Sequence, residues 1–309
     1  MGAGDTGGTG RAPVNWRVYL RLGRVSNLPT VWSNTLAGVA LAQAPESVWP
    51  SKSVALLMAA FSLLYIGGMF LNDAFDRHID ARERADRPIP SGQIGAREVF
   101  TIGFGLLGAG VLAVAVHAFA VGAGVLPVVS AVTLAGVIVL YDAWHKGNPI
   151  GPILMGACRV LVYVTAALSV TMRREAPVFG GAALLLSYLI GLTYLAKHEG
   201  AYLAGKMPRL TLRRFWPLAL LFIPFLALLP GSFGSVGALL LDIGFLAWLV
   251  FTLVDLRRGA PGAIPRTVVR LIAGISLLDA VLVGPSLGAA LAVGAFALTL
   301  WLQRFVSGT

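Results

Sequence analysis

A chain of 309 residues with a hydrophobic fraction of 57%, 12% charged residues and a mean hydropathy of +0.80 is too apolar for a water-soluble protein, where roughly 25% of residues carry charge. Apolar runs of roughly 18–22 residues recur along it, each long enough to cross a bilayer as a helix, whereas a transmembrane barrel would show short alternating segments. The net charge of +10 raises nucleic acid as a partner, but in a polytopic membrane protein such an excess marks the cytoplasmic loops, and no nucleic-acid partner is expected.

Residues 1–13 are Gly-rich with no apolar core, so they are expected to be a disordered tail rather than a cleavable signal peptide. Residues 14–26 set Arg17, Arg21 and Arg24 among Val14, Trp16, Val18, Tyr19, Leu20 and Leu22, the pattern of an amphipathic helix lying at the membrane interface. From there to residue 305 the chain reads as a single transmembrane domain. Its spans are expected at about 28–44, 53–71, 99–118, 123–142, 151–171, 178–195, 214–230, 234–254, 267–283 and 285–303. The last two are parted only by Gly284-Pro285, which leaves nine or ten spans open. The single cysteine, Cys158, sits in an apolar run and can form no intrachain disulfide.

Charge orients this bundle. With the N-terminus inside, only Lys52, Arg173 and Arg174 fall outside and Arg159 falls within a span, while all other Lys and Arg residues lie in the inner segments. Three chemistry-bearing stretches share that inner side: residues 72–98, Tyr141–Asn148 and Tyr194–Arg214.

The first of these is the densest. The chain is poor in acids, yet Asp73, Asp76, Asp80, Glu83 and Asp86 lie close together beside an apolar run. On a helix, with Asn72 at the origin, Glu83 stands at about 20°, Asp76 at about 40°, Asp80 at about 80° and Asp73 at about 100°. Arg84 and Arg77 border this face at about 120° and 140°. A row of like charges repels by a few tenths of a kcal/mol per pair, a cost that makes sense when a cation fills the gap. Hard divalent ions such as Mg²⁺ take carboxylate oxygens together with substrate phosphates.

Asn72-Asp73-x-x-Asp76-x-x-x-Asp80, followed by Arg87-Pro88-Ile89-Pro90-Ser91-Gly92, resembles the first Asp-rich motif of the UbiA superfamily of intramembrane prenyltransferases. Arg24 to Gly38, with Asn27 and Asn34, is similar to that family's first span. The likeness runs from about residue 20 to 270. The step from Asp80 to Arg87 is shorter than in the ubiquinone-pathway members, which points to a side branch such as the EboC-like proteins. The resemblance implies an all-α integral membrane fold, with nine or ten helices around a central cavity open to lipid and a polar cap on the cytoplasmic side. It also implies Mg²⁺ and an isoprenyl diphosphate donor held by two Asp-rich caps, with loss of diphosphate giving an allylic cation that an acceptor attacks. The acceptor is not legible from the sequence.

Carried over residue by residue, the resemblance makes Asp73, Asp76 and Asp80 the metal ligands, with Asp76 and Asp80 catalytic and Asn72 beside them on the cation and the diphosphate. Arg24, Arg77, Arg84, Lys197 and Arg159 are expected diphosphate contacts. In Tyr141-Asp142-Ala143-Trp144-His145-Lys146, His145 holds the place of the family's catalytic Lys and Lys146 follows it, so Lys146 is expected to reach the diphosphate on its long stem; a snorkelling Tyr/Lys pair is the plainer reading.

The second cap departs from the pattern. Tyr194 to Pro208 contains one acid, Glu199, where the family has two Asp four residues apart, while Tyr202–Pro208 is similar to the loop of the haem-modifying branch. Glu199 is the candidate ligand of a second cation; Lys197 or His198 as a fixed positive charge is the alternative. Tyr194, His198 and Tyr202 share one helical stripe.

Arg159, Asp242 and Asp279 lie inside spans, where charges face a cavity or a partner; Arg159 is placed to bind diphosphate or an acidic acceptor, and for Asp242 and Asp279 structural pairing stands beside catalysis as the reading. His117, near an outer span end, is expected at the interface. The expectation is thus an inner-membrane, multi-pass, Mg²⁺-dependent prenyltransferase. A catalytically silent isoprenoid-lipid carrier or scaffold and a UbiA-type terpene cyclase are the alternatives.

Overall fold

The computed structural model describes residues 16–43, 52–170, 176–197, 216–257, 262–306 and 308. The described chain is helical. Helix α1 spans Trp16–Leu22, and a single 3-10 turn, Val25–Asn27, leads into α2 (Leu28–Leu41). Then follow α3 (Lys52–Glu83), α4 (Ala96–Ala120), α5 (Leu126–Trp144), α6 (Gly151–Val170) and α7 (Ala176–Ala196). A 3-10 stretch, Trp216–Phe222, runs into α8 (Ile223–Ser232), and α9 (Val236–Arg257), α10 (Ala263–Val283) and α11 (Leu287–Leu302) complete the bundle.

Local chemistry sets these boundaries. Pro29, Pro127 and Pro224 stand in the first turns of α2, α5 and α8, where the missing N–H costs nothing. The Gly284-Pro285 step, which left the span count open, separates two helices. Gly284 ends α10 at φ 73°, its N–H bonding Ala280 O at 3.1 Å, and Ser286 Oγ caps α11 by accepting from Ala289 N at 3.3 Å. Six helices, α3 to α7 and α9, are long and apolar enough to cross a membrane. Helix α10 carries Arg266, Arg270 and Asp279, and α2, at 14 residues, reaches only about 21 Å.

Helix α2 can be short and polar because its neighbours surround it. It packs on α3, α6, α10 and α11, and Thr30, Ser33, Asn34 and Thr35 along it are completely buried. Gly38 permits the closest approach: a Cβ there would stand 2.7 Å from Tyr163 O of α6. Helices α3 and α4 meet as tightly, since a Cβ on Gly67 would come 2.8 Å from Gly103 O. The remaining helices follow each other round α2, each packed on the next. Large apolar side chains on their outer faces, among them Leu112, Phe119, Val129, Leu226 and Leu240, are exposed, as they are when the solvent is lipid.

The interfacial helix expected over 14–26 is the shorter α1. Val18 and Leu22 are buried, Arg17 and Arg21 are exposed, and the Tyr19 hydroxyl donates to Glu98 Oε1 of α4 at 2.6 Å. That bond to the carboxylate pushes the Tyr19 phenol above its ordinary value. After α1 the chain turns through Arg24, whose backbone is left-handed (φ 42°, ψ 47°). His117 stands in the last turn of α4, near the span end, and is 3% exposed, its ring turned into the protein.

Candidate active site

Helix α3 has 32 residues and is therefore about 48 Å long, against a hydrocarbon core of about 30 Å. Its last turns carry the acids. Asn72, Asp73, Asp76 and Asp80 lie on the inward face and are all under 9% exposed. Glu83 and Asp86 point to solvent and do not join them.

Each buried acid meets a cation. Arg24 Nη2 donates to Asp73 Oδ1 at 3.3 Å and to Asn72 Oδ1 at 3.4 Å. Arg87 Nη1 bridges two turns of α3, reaching Asp73 Oδ1 at 3.1 Å and Asp80 Oδ2 at 2.9 Å. His145 Nε2 and Lys146 Nζ, from the α5–α6 connection, both lie 3.4 Å from Asp76 Oδ2. The His145 ring stacks on Tyr141 with centroids 4.9 Å apart. Asp142 closes the floor: Asn72 Nδ2 donates to its Oδ1 at 3.2 Å, while its Oδ2 is buried with no hydrogen-bond partner among the described residues.

Arg87 is placed by the turn behind it. The Arg87 carbonyl accepts from Ser91 N at 3.0 Å and Ser91 Oγ at 2.7 Å, and Gly92 takes φ 75°, a left-handed conformation that glycine adopts without strain. The Arg-Pro-Ile-Pro-Ser-Gly run thus acts as a bracket that swings one guanidinium back over the acid row.

Beneath the row opens a cavity of about 240 Å³. Arg24, Arg84, Arg87 and Asp142 line its polar end; Val31, Phe61, Leu64, Leu134, Ile138 and Val162 line its walls. Arg159 also lines it, among apolar residues.

Of the residues expected at a site, Asn72, Asp73, Asp76, Asp80, Arg24 and Lys146 come together directly, and Arg84 and Arg159 line the cavity below. Arg77 does not join them: Nη1 is tied to Ala74 O at 2.9 Å and the guanidinium stands 5.6 Å from the Phe100 ring centroid on α4. Lys197 is tied to the α5–α6 connection instead of the acids, donating to Asn148 O at 2.6 Å. Glu199, with His198 and Tyr202, lies outside the described residues. Arg87 and Asp142 join the site beyond the sequence expectation; the signals for them are that Arg87 opens the Arg-Pro-Ile-Pro-Ser-Gly run and that Asp142 follows Tyr141.

Among the described residues no three His, Cys, Asp or Glu side chains converge closely enough to hold a metal ion as they stand. The donor set nonetheless suits a hard cation. It offers carboxylate oxygens and an amide oxygen, its acids already draw positive charge, and Asp142 Oδ2 is a buried carboxylate oxygen that no described residue satisfies.

The sequence and the fold have counterparts. The chain spans about a fifth to a half of the length of the curated relatives it matches. A digeranylgeranylglyceryl phosphate synthase of Methanopyrus kandleri is 31% identical over 153 residues, 46% of this chain and 51% of that protein. One of Metallosphaera sedula is 30% identical over 103 residues, 33% of this chain and 35% of the other. Among solved structures, a UbiA homologue from Archaeoglobus fulgidus bound to GPP and Mg²⁺ superposes with a TM-score of 0.59 at 15% identity, over 91% of this chain and 99% of that one. The apo structure of a UbiA homologue from Aeropyrum pernix K1 gives 0.59 at 14% identity, over 94% and 100%. At such identities the structures speak for the fold alone. The sequence model of the UbiA prenyltransferase family matches residues 31–272, and with its span covering the acid row, the cavity helices and most of the bundle, the chain belongs to that family.

Proposed function

We propose that this protein transfers a prenyl group from an isoprenyl diphosphate to an acceptor within the membrane, with Mg²⁺, at the cytoplasmic side of the cell inner (plasma) membrane. One observation carries the reading: a row of buried carboxylates, ringed by cationic side chains, sits at the mouth of an apolar cavity. The cytoplasmic placement rests on the positive-inside bias of the connections. The names of the curated relatives and the ligands of the Archaeoglobus fulgidus homologue support both prenyl transfer and an isoprenyl diphosphate donor.

The residues divide the work by chemistry. Asp73, Asp76 and Asp80, with Asn72 and the unsatisfied Asp142 Oδ2, would hold Mg²⁺, and Glu199 would be the weaker second side. When bound, the ion supplies positive charge to the diphosphate oxygens as the leaving group forms. Arg24, Arg84, Arg87 and Lys146 neutralise the same oxygens. The allylic C–O bond breaks with its electron pair leaving on the diphosphate. The apolar walls hold the prenyl chain and keep water from the carbocation. Asp73 and Asp80 are bridged by Arg87, so that guanidinium turns from the acids to the diphosphate when donor and cation arrive.

The test is Mg²⁺-dependent release of diphosphate from geranyl diphosphate by the purified protein. Asp76→Asn keeps the size of the side chain and removes the charge facing His145 and Lys146; release is expected to fall by at least about a hundredfold, in line with loss of a transition-state electrostatic contact. Unchanged release in this variant would remove the enzyme reading.

A further inference from the structure

The outer face of the bundle carries a second cluster of charge, on α10. Helices α9 and α11 each pack on α10 and not closely on each other, so α10 forms the floor of a groove that faces the lipid. Arg266, Arg270 and Leu277 fall on one face of α10, and none of them is fully buried. The mouth of the groove lies on the membrane face that holds the acid row. Gln303, at the end of α11, donates to Val269 O at 3.3 Å and to Asn27 Oδ1 at 3.0 Å, and Asn27 stands three residues from the Arg24 that binds Asp73.

The groove changes character with depth. At the mouth, Arg270 Nη1 donates to Asp255 Oδ2 at 2.7 Å, and Arg266 Nε stands 3.7 Å from the same oxygen. The Arg270 guanidinium also lies 4.8 Å from the centroid of the Phe251 ring, a cation–π contact that holds it toward α9. Trp248 precedes Asp255 by seven residues on α9, about 10 Å further into the membrane. Its Nε1 donates to Arg270 O at 3.1 Å, and its ring meets Phe296 of α11 edge-on with centroids 4.8 Å apart. Arg270 is thus rooted at the level of the aromatic wall and reaches back to the charged mouth, as a snorkelling side chain does.

Asp255 orients the two guanidiniums without balancing this stretch of chain. From residue 251 to 273 the sequence holds four arginines and one aspartate, a net charge of +3. Guanidinium groups take phosphate oxygens two-pronged, and basic pockets between transmembrane helices suit anionic head groups. Aromatic rings below the charge suit the acyl chain that such a head group carries.

We propose that this groove binds an anionic glycerophospholipid of the cytoplasmic leaflet, with its phosphodiester on Arg266 and Arg270 and an acyl chain along Trp248, Phe251 and Phe296. None of these five residues lines the central cavity, so the site is separate from the transferase reading and stands or falls without it.

The full-length protein, stripped of lipid in neutral detergent, is titrated with phosphatidylglycerol or phosphatidylcholine of matched acyl chains, and the first bound lipid is followed by native mass spectrometry. Phosphatidylglycerol is expected to bind at about a tenfold lower concentration. Arg266 is 45% exposed, and in Arg266→Gln the preference is expected to fall at least about threefold. It is expected to survive in Arg17→Gln/Arg21→Gln, which removes two exposed charges of α1. Equal binding of the two lipids by the unmodified protein overturns the proposal. So does a preference that Arg266→Gln keeps, or one that the α1 pair loses as far, since charge would then act over the whole membrane face. Dibutyryl phosphatidylglycerol, with the same head group and short chains, is expected to bind at least about tenfold more weakly than the long-chain lipid. Equal binding of the short lipid, or displacement of the long one by inorganic phosphate at equal concentration, would leave a bare anion site and overturns the lipid.

Discussion

Arg87 occupies ground that a divalent cation would claim, and its removal separates two effects that are usually confounded. Nη1 lies 3.1 Å from Asp73 Oδ1 and 2.9 Å from Asp80 Oδ2, and the two acid side chains are 10% and 5% exposed. In Arg87→Ala, Asp73 keeps Arg24 at 3.3 Å, while Asp80 loses the partner that the described residues give it. Deleting one member of a buried pair costs about 3–5 kcal/mol, and the retained Arg24 contact puts this case near the lower end, about 3 kcal/mol. Mg²⁺ can recover part of that loss, because the carboxylates no longer share their charge with a guanidinium. Recovering about half, roughly 1.4 kcal/mol, tightens Mg²⁺ binding about tenfold. The assay is the thermal transition of the donor-free protein, stripped with EDTA and titrated with Mg²⁺. The variant is expected to melt lower than the parent without metal, to gain more from Mg²⁺, and to reach its midpoint at about a tenfold lower concentration. A midpoint unchanged or shifted upward would refute the competition between Arg87 and the cation.

Three further outcomes are expected. Asp279→Leu strands the hydrogen-bond donors of Ser33, Asn34 and Tyr163 and should cost about 3 kcal/mol or more; Asp279→Asn, which keeps an acceptor, should cost clearly less, and equal losses by thermal melting would argue against the network. Gly38→Val places a side chain where even a Cβ meets Tyr163 O at 2.7 Å and Ala166 Cβ at 3.0 Å, so α2 and α6 must part, at about 1–3 kcal/mol; a melt matching the parent would show that the contact is not tight. In a Cys158→Ser background, Gly92→Cys should resist an impermeant maleimide applied to intact cells and label after permeabilisation, whereas ready labelling from outside would invert the topology.

The bundle was legible because its solvent is hydrocarbon: length and apolarity alone mark most spans, and the Gly284-Pro285 step needed only its backbone geometry to become a helix boundary. The acid row was legible because Asp73, Asp76 and Asp80 repeat at helical spacing on one element. What surrounds the row comes from other elements, so Arg24, His145 and Lys146 were legible only through the resemblance, and the rest was not. Arg87 reaches the acids through a turn whose direction no periodicity encodes, and Asp142 and His145 enter from the end of α5. Arg77 shows the limit of a helical wheel. It stands about 40° beyond Asp73 on the helix, close enough on paper, yet its guanidinium lies over the Phe100 ring on α4 instead of the acids. Arg159 and Asp279 were recognisable as costly intramembrane charges, but Asn34, which joins them, reads in sequence as one polar residue in a span.

Arg24 has a further consequence. Its left-handed backbone is a conformation in which a non-glycine residue is held at a cost of about 1–2 kcal/mol, and glycine there would relax the chain while discarding the guanidinium. The conformation is held from outside, by the bonds to Asn72 and Asp73. Those bonds are also the ones that a cation and a diphosphate would contest. Helix α1 enters the bundle through this residue, so the contacts that shape the cap also fix where α1 joins it.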